Sequence, residues 1–300
     1  VHGPIISNIC LRVAGRHQAE DREWLTTTKE SFMHTASQGT VAFQLIRNAT
    51  IKLSYPGATF LVDPMLAPKD AYPGFAGTYN SHLRYPLVEL PVSLDEILRA
   101  DAVIVTHTHA DHWDDAARAA IPKRMPVFAQ DEHDAAAIRK DGFPDVRMLD
   151  DGAAFAGTRL VRTGGQHGTD GMMAVPMLAE RMGRVSGVVF VHPGCPTVYV
   201  AGDTVWTDEV EQAIVRHRPD VIVLNTGYAR VLGMDGAIIM GKEDLERAHR
   251  LAPQATVIGV HMEAVNHGMQ TRTELREFIS ARGLDTARVL VPEDGASCSF

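Results

Sequence analysis

Within six positions, His107-Thr-His-Ala-Asp-His112 gathers three imidazoles and a carboxylate. They follow the apolar run Ala102–Val105, which reads as a short buried strand, so the polar cluster stands where that strand should end. Side chains alternate faces along extended chain, so His107 and His109 point the same way and could grip one metal ion. Asp111 and His112, on the turn just beyond, are close enough to hold a second. Imidazole nitrogen with carboxylate oxygen suits zinc and tolerates iron or manganese. A single histidine here would more simply be a core residue satisfied by ordinary hydrogen bonds. Four candidate ligands at one strand end favour metal.

The elements that must position this cluster can be read on both sides of it. Val41–Ile46, Thr50–Leu53 and Thr59–Val62 are β-rich runs separated by Asn48 and by Pro56-Gly57, and should form an antiparallel meander. It ends at Asp63-Pro64. A metal-bound histidine usually donates its other ring proton to a carboxylate, and Asp63 is placed either to be that carboxylate or simply to cap the loop. Residues 64–92, rich in proline and carrying Tyr72, Phe75, Tyr79 and Tyr85, read as a structured loop whose aromatics line a pocket or pin the loop down.

Ser93-Leu-Asp-Glu96 and Thr271-Arg-Thr-Glu274 are capping boxes that should open helices, the first over Leu94–Arg99. Helices over Asp131–Lys140, Glu209–His217 and Glu243–Leu251 alternate with strands over Pro126–Ala129, Asp220–Leu224 and Thr256–Val260. Strands first and helices interleaved later, in both halves, describe an α/β sandwich of two sheets with helices outside. Residues 1–40 read as a helical arm, which could pack on the domain or on a second subunit of a homo-oligomer, or cover the active site. Residues 41–300 read as one domain.

Composition narrows the function. With 45% hydrophobic residues in 300, a substantial core is expected. A net charge of −8 argues against nucleic acid as the partner. No run of about eighteen apolar residues suggests a transmembrane helix. Cys10, Cys195 and Cys298 are too few and too scattered for a disulfide framework, which favours reduced thiols and a cytoplasmic setting. Because the chain begins with Val1, a processed exported protein stays open. There is no nucleophile elbow and no P-loop, so water should attack a small-molecule substrate directly.

His107-x-His109-x-Asp111-His112 resembles the signature of the metallo-β-lactamase superfamily. Arg47-Asn-Ala-Thr50, Val62-Asp-Pro-Met65, Gln166-His-Gly-Thr-Asp170, Ala201-Gly-Asp-Thr204 and His261-Met-Glu-Ala264 resemble one branch of it. That branch contains L-ascorbate-6-phosphate lactonase-like proteins and N-acylphosphatidylethanolamine phospholipase D. The resemblance runs from about Val41 to the C-terminus and implies the αβ/βα four-layer sandwich. It implies His167 as the third histidine beside His107 and His109, Asp203 as a bridge between two ions, and His261 with Asp111 and His112 on the second. Two divalent ions, zinc first and manganese or iron next, would share a hydroxide, which cleaves an ester, lactone or phosphodiester bond. Asp111 and Asp203 are then the catalytic carboxylates, with Asp111 orienting the hydroxide and passing its proton to the leaving group. The same superfamily also hosts di-iron oxidoreductases, and a non-catalytic metal-binding protein would be expected to have lost ligands. Substrate choice falls to the loops 64–92, Met172–Arg184 and Tyr228–Gly241, with Asn225, Tyr228, Asn266 and His267 as candidate substrate-binding residues.

Overall fold

The structure, a computed structural model, describes residues 39–300. The expected arm over 1–40 therefore lies outside the described residues except for its last two positions. In the first half, β1 (Ala42–Arg47), β2 (Thr50–Tyr55) and β3 (Ala58–Val62) form the expected meander. Then β4 (Ala102–Val105), β5 (Val127–Ala129) and β6 (Val146–Met148) add in parallel, linked by α1 (Leu94–Ile97), α2 (Asp115–Ala120) and α3 (Glu132–Lys140).

The second half repeats the scheme. Strands β7 (Ala154–Phe155), β8 (Thr158–Thr163), β9 (Gly187–Val191) and β10 (Val198–Val200) pair antiparallel. Parallel strands β11 (Val221–Asn225), β12 (Thr256–Val260) and β13 (Val289–Leu290) follow, and β14 (Ser297–Ser299) returns to pair with β1. Helices α4 (Asp170–Met173) and α5 (Pro176–Met182) fill the β8–β9 connection, and α6 (Asp208–His217), α7 (Lys242–Leu251) and α8 (Arg272–Ala281) complete the set. The sheet orders are β14-β1-β2-β3-β4-β5-β6 and β13-β12-β11-β10-β9-β8-β7.

Three apolar layers hold this together. Phe43, Leu53, Ile104, Phe190, Val223 and Ile258 belong to the layer between the sheets. Val103, Val105, Trp113 and Ile138 bury the outer face of the first sheet under α2 and α3. Ile222, Leu224, Ile214, Leu245 and Leu275 do the same on the second under α6, α7 and α8. Strands β4 and β11 are thus buried on both faces, which is why they read as unbroken apolar runs. Helix, sheet, sheet, helix is the four-layer αβ/βα arrangement. Among the described residues no helix is long and apolar enough to cross a membrane.

Two local expectations change. Helix α1 ends at Ile97, short of Arg99. Strand β4 ends at Val105, so His107 and His109 leave from a loop, not from extended strand. The cause is Asp63, whose carboxylate accepts the Thr106 N–H at 2.8 Å and takes the place of a neighbouring strand.

The long loop after β3 is anchored from two sides. Arg47, fully buried, donates to the carbonyls of Met65, Ala67 and Val88, each at 2.8 Å. The Asp114 carboxylate accepts the N–H groups of Leu66 and Ala67 while capping α2 through Ala117. Burial pulls the Arg47 guanidinium down to about 10, opposed chiefly by Asp114, so it stays charged. Arg47→Met would leave three carbonyls without a donor, each worth roughly 1–3 kcal/mol when buried. Urea denaturation should show a loss of about 3 kcal/mol or more; a loss under about 1 kcal/mol would mean the loop is held by its aromatic contacts.

Candidate metal centre

The sandwich brings strand ends from both sheets to one edge. Asp63 follows β3, His107 to His112 follow β4, and His167 follows β8; Asp203 follows β10 and His261 follows β12. There the potential ligand atoms of His107, His109 and His167 lie within 4.8 Å of one another, and those of Asp111, His112, Asp203 and His261 do likewise. Asp203 joins the groups: its Oδ2 is 3.1 Å from His112 Nε2 and 3.7 Å from His167 Nε2. His261 Nε2 is 3.4 Å from Asp111 Oδ2 and 3.5 Å from Asp203 Oδ1. All seven side chains that the sequence singled out as ligands therefore converge.

The chemistry of this donor set fits divalent cations. His107 Nε2 is buried without a hydrogen-bond partner. His112 Nε2 and His261 Nε2 face each other at 3.2 Å, an arrangement that two lone pairs tolerate when a proton or cation lies between them. Nitrogen and carboxylate oxygen at these spacings are a zinc-type set.

The far side of three of the rings is held by oxygen. His112 Nδ1 donates to Asp63 Oδ2 at 3.0 Å, and the same oxygen accepts the Thr106 hydroxyl at 2.7 Å. His167 Nδ1 donates to the Ile238 carbonyl at 2.9 Å, and His109 Nε2 to the Arg181 carbonyl at 3.1 Å. Such bonds fix which nitrogen is left to face the site. Two residues were not singled out from the sequence. Asn48 donates to the Asp111 carbonyl at 3.1 Å and accepts the His261 N–H on its own carbonyl. Thr106 links Asp63 to the loop that carries His107.

Charge is sorted within the cluster. Burial alone would lower His112, but Asp203, Asp111 and Asp63 outweigh it and hold the imidazole well above its usual range. Burial would likewise lower His261, and Asp203 and Asp111 raise it. The two carboxylates sit well below theirs: burial opposes, and His112 and His261 prevail. His107 is pushed well down by burial and by cationic neighbours, and burial brings His167 to about 4. Negative charge therefore collects on Asp111 and Asp203, where a cation would sit.

The candidate substrate residues separate. Asn225 is 2% exposed and spends its amide on Asp203 Oδ1 at 2.6 Å, so it lies beneath the site and not at a rim. Asn266 is also consumed internally: it accepts the Phe75 N–H and donates to Thr78 Oγ1 and the Tyr79 carbonyl, pinning the long loop. Tyr228 lines a different groove, with Trp206 and Gln166. His267 alone of the four reaches the cavity over the cluster. That cavity, about 130 Å³, is bounded by Phe75, Met182, Ile238, Asp111, Asp203 and His267 among others. Of the loop aromatics, Tyr72 and Tyr85 pack at a tilt, 5.3 Å apart, and pin the loop, while Phe75 both stacks on Tyr85 at 4.5 Å and faces the cavity.

Residues 58–262 match the family model described as Beta-lactamase superfamily domain. The chain is 47% identical over 256 residues to the UPF0173 protein YddR of Bacillus subtilis, an alignment covering 85% of this chain and 98% of that protein. A crystal structure of a possible metal-dependent hydrolase from Veillonella parvula is 48% identical, with a TM-score of 0.85 and coverage of 86% of this chain and 99% of that one. A crystal structure of isothiocyanate hydrolase from Delia radicum gut bacteria is 47% identical, with a TM-score of 0.83 and the same coverage. The chain belongs to the metallo-β-lactamase superfamily, as a metal-dependent hydrolase of its UPF0173 family.

Proposed function

We propose that this chain is a binuclear metal-dependent hydrolase of small, neutral, electrophilic-carbon substrates, organic isothiocyanates first among them. The observation that carries the reading is the convergence of seven buried or half-buried ligand side chains beneath a small cavity with an apolar wall. His107, His109, His167 and Asp203 would hold one cation, and Asp111, His112, His261 and Asp203 the other, with zinc preferred and manganese or iron accepted. Bound divalent cations lower the pKa of a coordinated water from about 15.7 to about 7 and polarise the bond under attack.

The chain's own groups do the rest. Asp63 and the Ile238 and Arg181 carbonyls fix three of the rings, so the ligand nitrogens need no reorganisation. Asn225 fixes Asp203 through one carboxylate oxygen. Asp111, free of any side-chain amide, orients the attacking water and carries its proton to the substrate nitrogen. Water adds to the central carbon of R–N=C=S, and the resulting thiocarbamic acid breaks its C–N bond to give an amine and carbonyl sulfide.

Three features favour this class. Phe75, Met182 and Ile238 give the cavity beside Asp111 and Asp203 an apolar side, and a cleft of about 600 Å³ lined by His107 and His109 shares Met182 with it. The wall carries one cationic side chain, Arg181, which donates through Nη2 to the Ala76 carbonyl at 2.6 Å, so a phosphodiester would find a single guanidinium and no cluster of them. A protein 47% identical over most of this chain is an isothiocyanate hydrolase. Lactones and esters share the neutral electrophilic carbon and are the next class to test, as the lactonase-like branch suggests.

Purified protein loaded with zinc or manganese should consume allyl and benzyl isothiocyanate, followed by loss of the N=C=S absorbance and by amine release. Turnover of phosphodiesters in preference to both isothiocyanates and lactones would overturn the substrate class. Chelation should abolish turnover and added zinc restore it. Asp63→Asn should weaken metal affinity by about 10–100-fold, the usual cost of removing a partner that orients a ligand. Asp203→Ala should cost more than that, with metal content falling below that of the parent protein. An Asp203→Ala protein that kept both its metal and its turnover would refute the ligand assignment.

A further inference from the structure

Among the side chains around the cavity, His267 has no task in the reading above. It is 6% exposed, and its Nδ1 is buried with no hydrogen-bond partner. Its ring meets Phe75 edge to face at 4.8 Å, and its carbonyl accepts the Arg230 N–H at 3.0 Å. Phe75 is in turn held through its N–H by Asn266. The imidazole is therefore fixed in backbone and in ring, on the wall that also presents Asp111, Asp203 and His167.

The tautomer follows from the same contacts. A proton on Nδ1 would be a buried donor with no acceptor, which disfavours that tautomer. The proton then belongs on Nε2 of a ring that lines the cavity. Burial pulls the group down to about 4, so it stays neutral through the neutral pH range. Of the other polar groups on that wall, Arg181 donates through Nη2 to the Ala76 carbonyl. The Thr78 hydroxyl donates to the Phe75 carbonyl and accepts from Asn266, and the carboxylates can only accept.

We propose that His267 is a catalytic hydrogen-bond donor: its Nε2–H meets the negative charge that develops on the substrate heteroatom as water adds to the central carbon. For an isothiocyanate, the C–O bond forms and the C=S π pair moves onto sulfur, which the Nε2–H faces. The water proton travels by Asp111 to nitrogen, so His267 gives up no proton and needs no regeneration. A donor aimed at charge that exists in the transition state and not in the ground state raises kcat without tightening substrate binding. The sulfur assignment rests on the isothiocyanate reading, but a donor in the cavity does not.

Two variants, His267→Phe and His267→Gln, and two readouts separate these levels. In steady-state assays His267→Phe should lose about 10²- to 10³-fold in kcat with KM changed by no more than a few fold, and His267→Gln, which keeps an N–H, should recover part of the loss. Inorganic thiocyanate, a linear N–C–S anion, serves as the binding probe for protein loaded with cobalt(II) and followed by visible absorption. His267→Phe should weaken thiocyanate about tenfold, His267→Gln less, while the anion-free cobalt spectrum and metal stoichiometry match the parent. Unchanged thiocyanate affinity in His267→Phe would overturn the donor role, and an altered anion-free spectrum would reassign His267 to holding the metal site. If the parent protein does not turn over isothiocyanates, the substrate reading falls, and the thiocyanate titration still decides the role of His267.

Discussion

Packing two carboxylates and five imidazoles into a dry edge of a sandwich is unfavourable unless their charges compensate one another, because each buried ionised group gives up its hydration. That constraint explains the arrangement around the cluster better than any single contact does. His112 and His261 are held above their usual range by Asp111 and Asp203, and the carboxylates are held below theirs in return. A dication among the same atoms supplies positive charge without protonating the rings, and returns their lone pairs to ligation. The outer nitrogens of His109, His112 and His167 are already committed to oxygen acceptors, so little freedom remains to be lost when that exchange occurs.

The fold accepts strained turns to reach this geometry. Asp63 and His261, the residues that leave β3 and β12, both have left-handed backbone, with φ of 46° and 63°. For residues other than glycine that conformation costs of order 1–3 kcal/mol and persists where the surroundings over-determine it. The surroundings do so here. Asp63 N–H donates to the Ile104 carbonyl, and His261 N–H to that of Asn48. At Gly227 a β-carbon would lie 2.1 Å from the His261 carbonyl, so the loop after β11 can approach β12 only without a side chain. Each sharp exit aims one functional group inward, and the three apolar layers of the sandwich hold the strands against it.

What could be read from sequence follows the same physics. The runs Ala102–Val105 and Val221–Leu224 were legible because burial on both faces leaves no polar position in a strand. His107 to His112 were legible because four ligand-type residues at a strand end have few other uses, and Asp63 because a carboxylate just past a strand and before proline faces its neighbours' ends. Other parts left no trace in residue identity. The Ile238 and Arg181 carbonyls orient His167 and His109, and any residue type offers a carbonyl. Asn48 looked like a turn residue, which its φ of 59° makes it, while its amide and carbonyl also tie Asp111 to His261. Asn225, Tyr228, Asn266 and His267 were alike in being polar and near strand ends. Which of them sees the cavity depends on the distant chain each packs against, here Asp203, Gly241, Thr78 and Phe75.

The balance of charge at the site also bears on what it can process well. If two dications were bound, they would carry more charge than Asp111 and Asp203 neutralise, and the cavity floor would be electropositive. An anionic substrate such as a phosphodiester would draw on that field already in the ground state, which tightens binding without lowering the barrier. A neutral heterocumulene or carbonyl compound draws on it when addition of water places charge on sulfur, nitrogen or oxygen. Phe75, Met182 and Ile238 reinforce the distinction, because an apolar wall keeps water from screening charge as it forms. Under the proposed metal and donor assignments, the cationic floor, the apolar side and the His267 donor would together favour substrates that become charged over substrates that arrive charged.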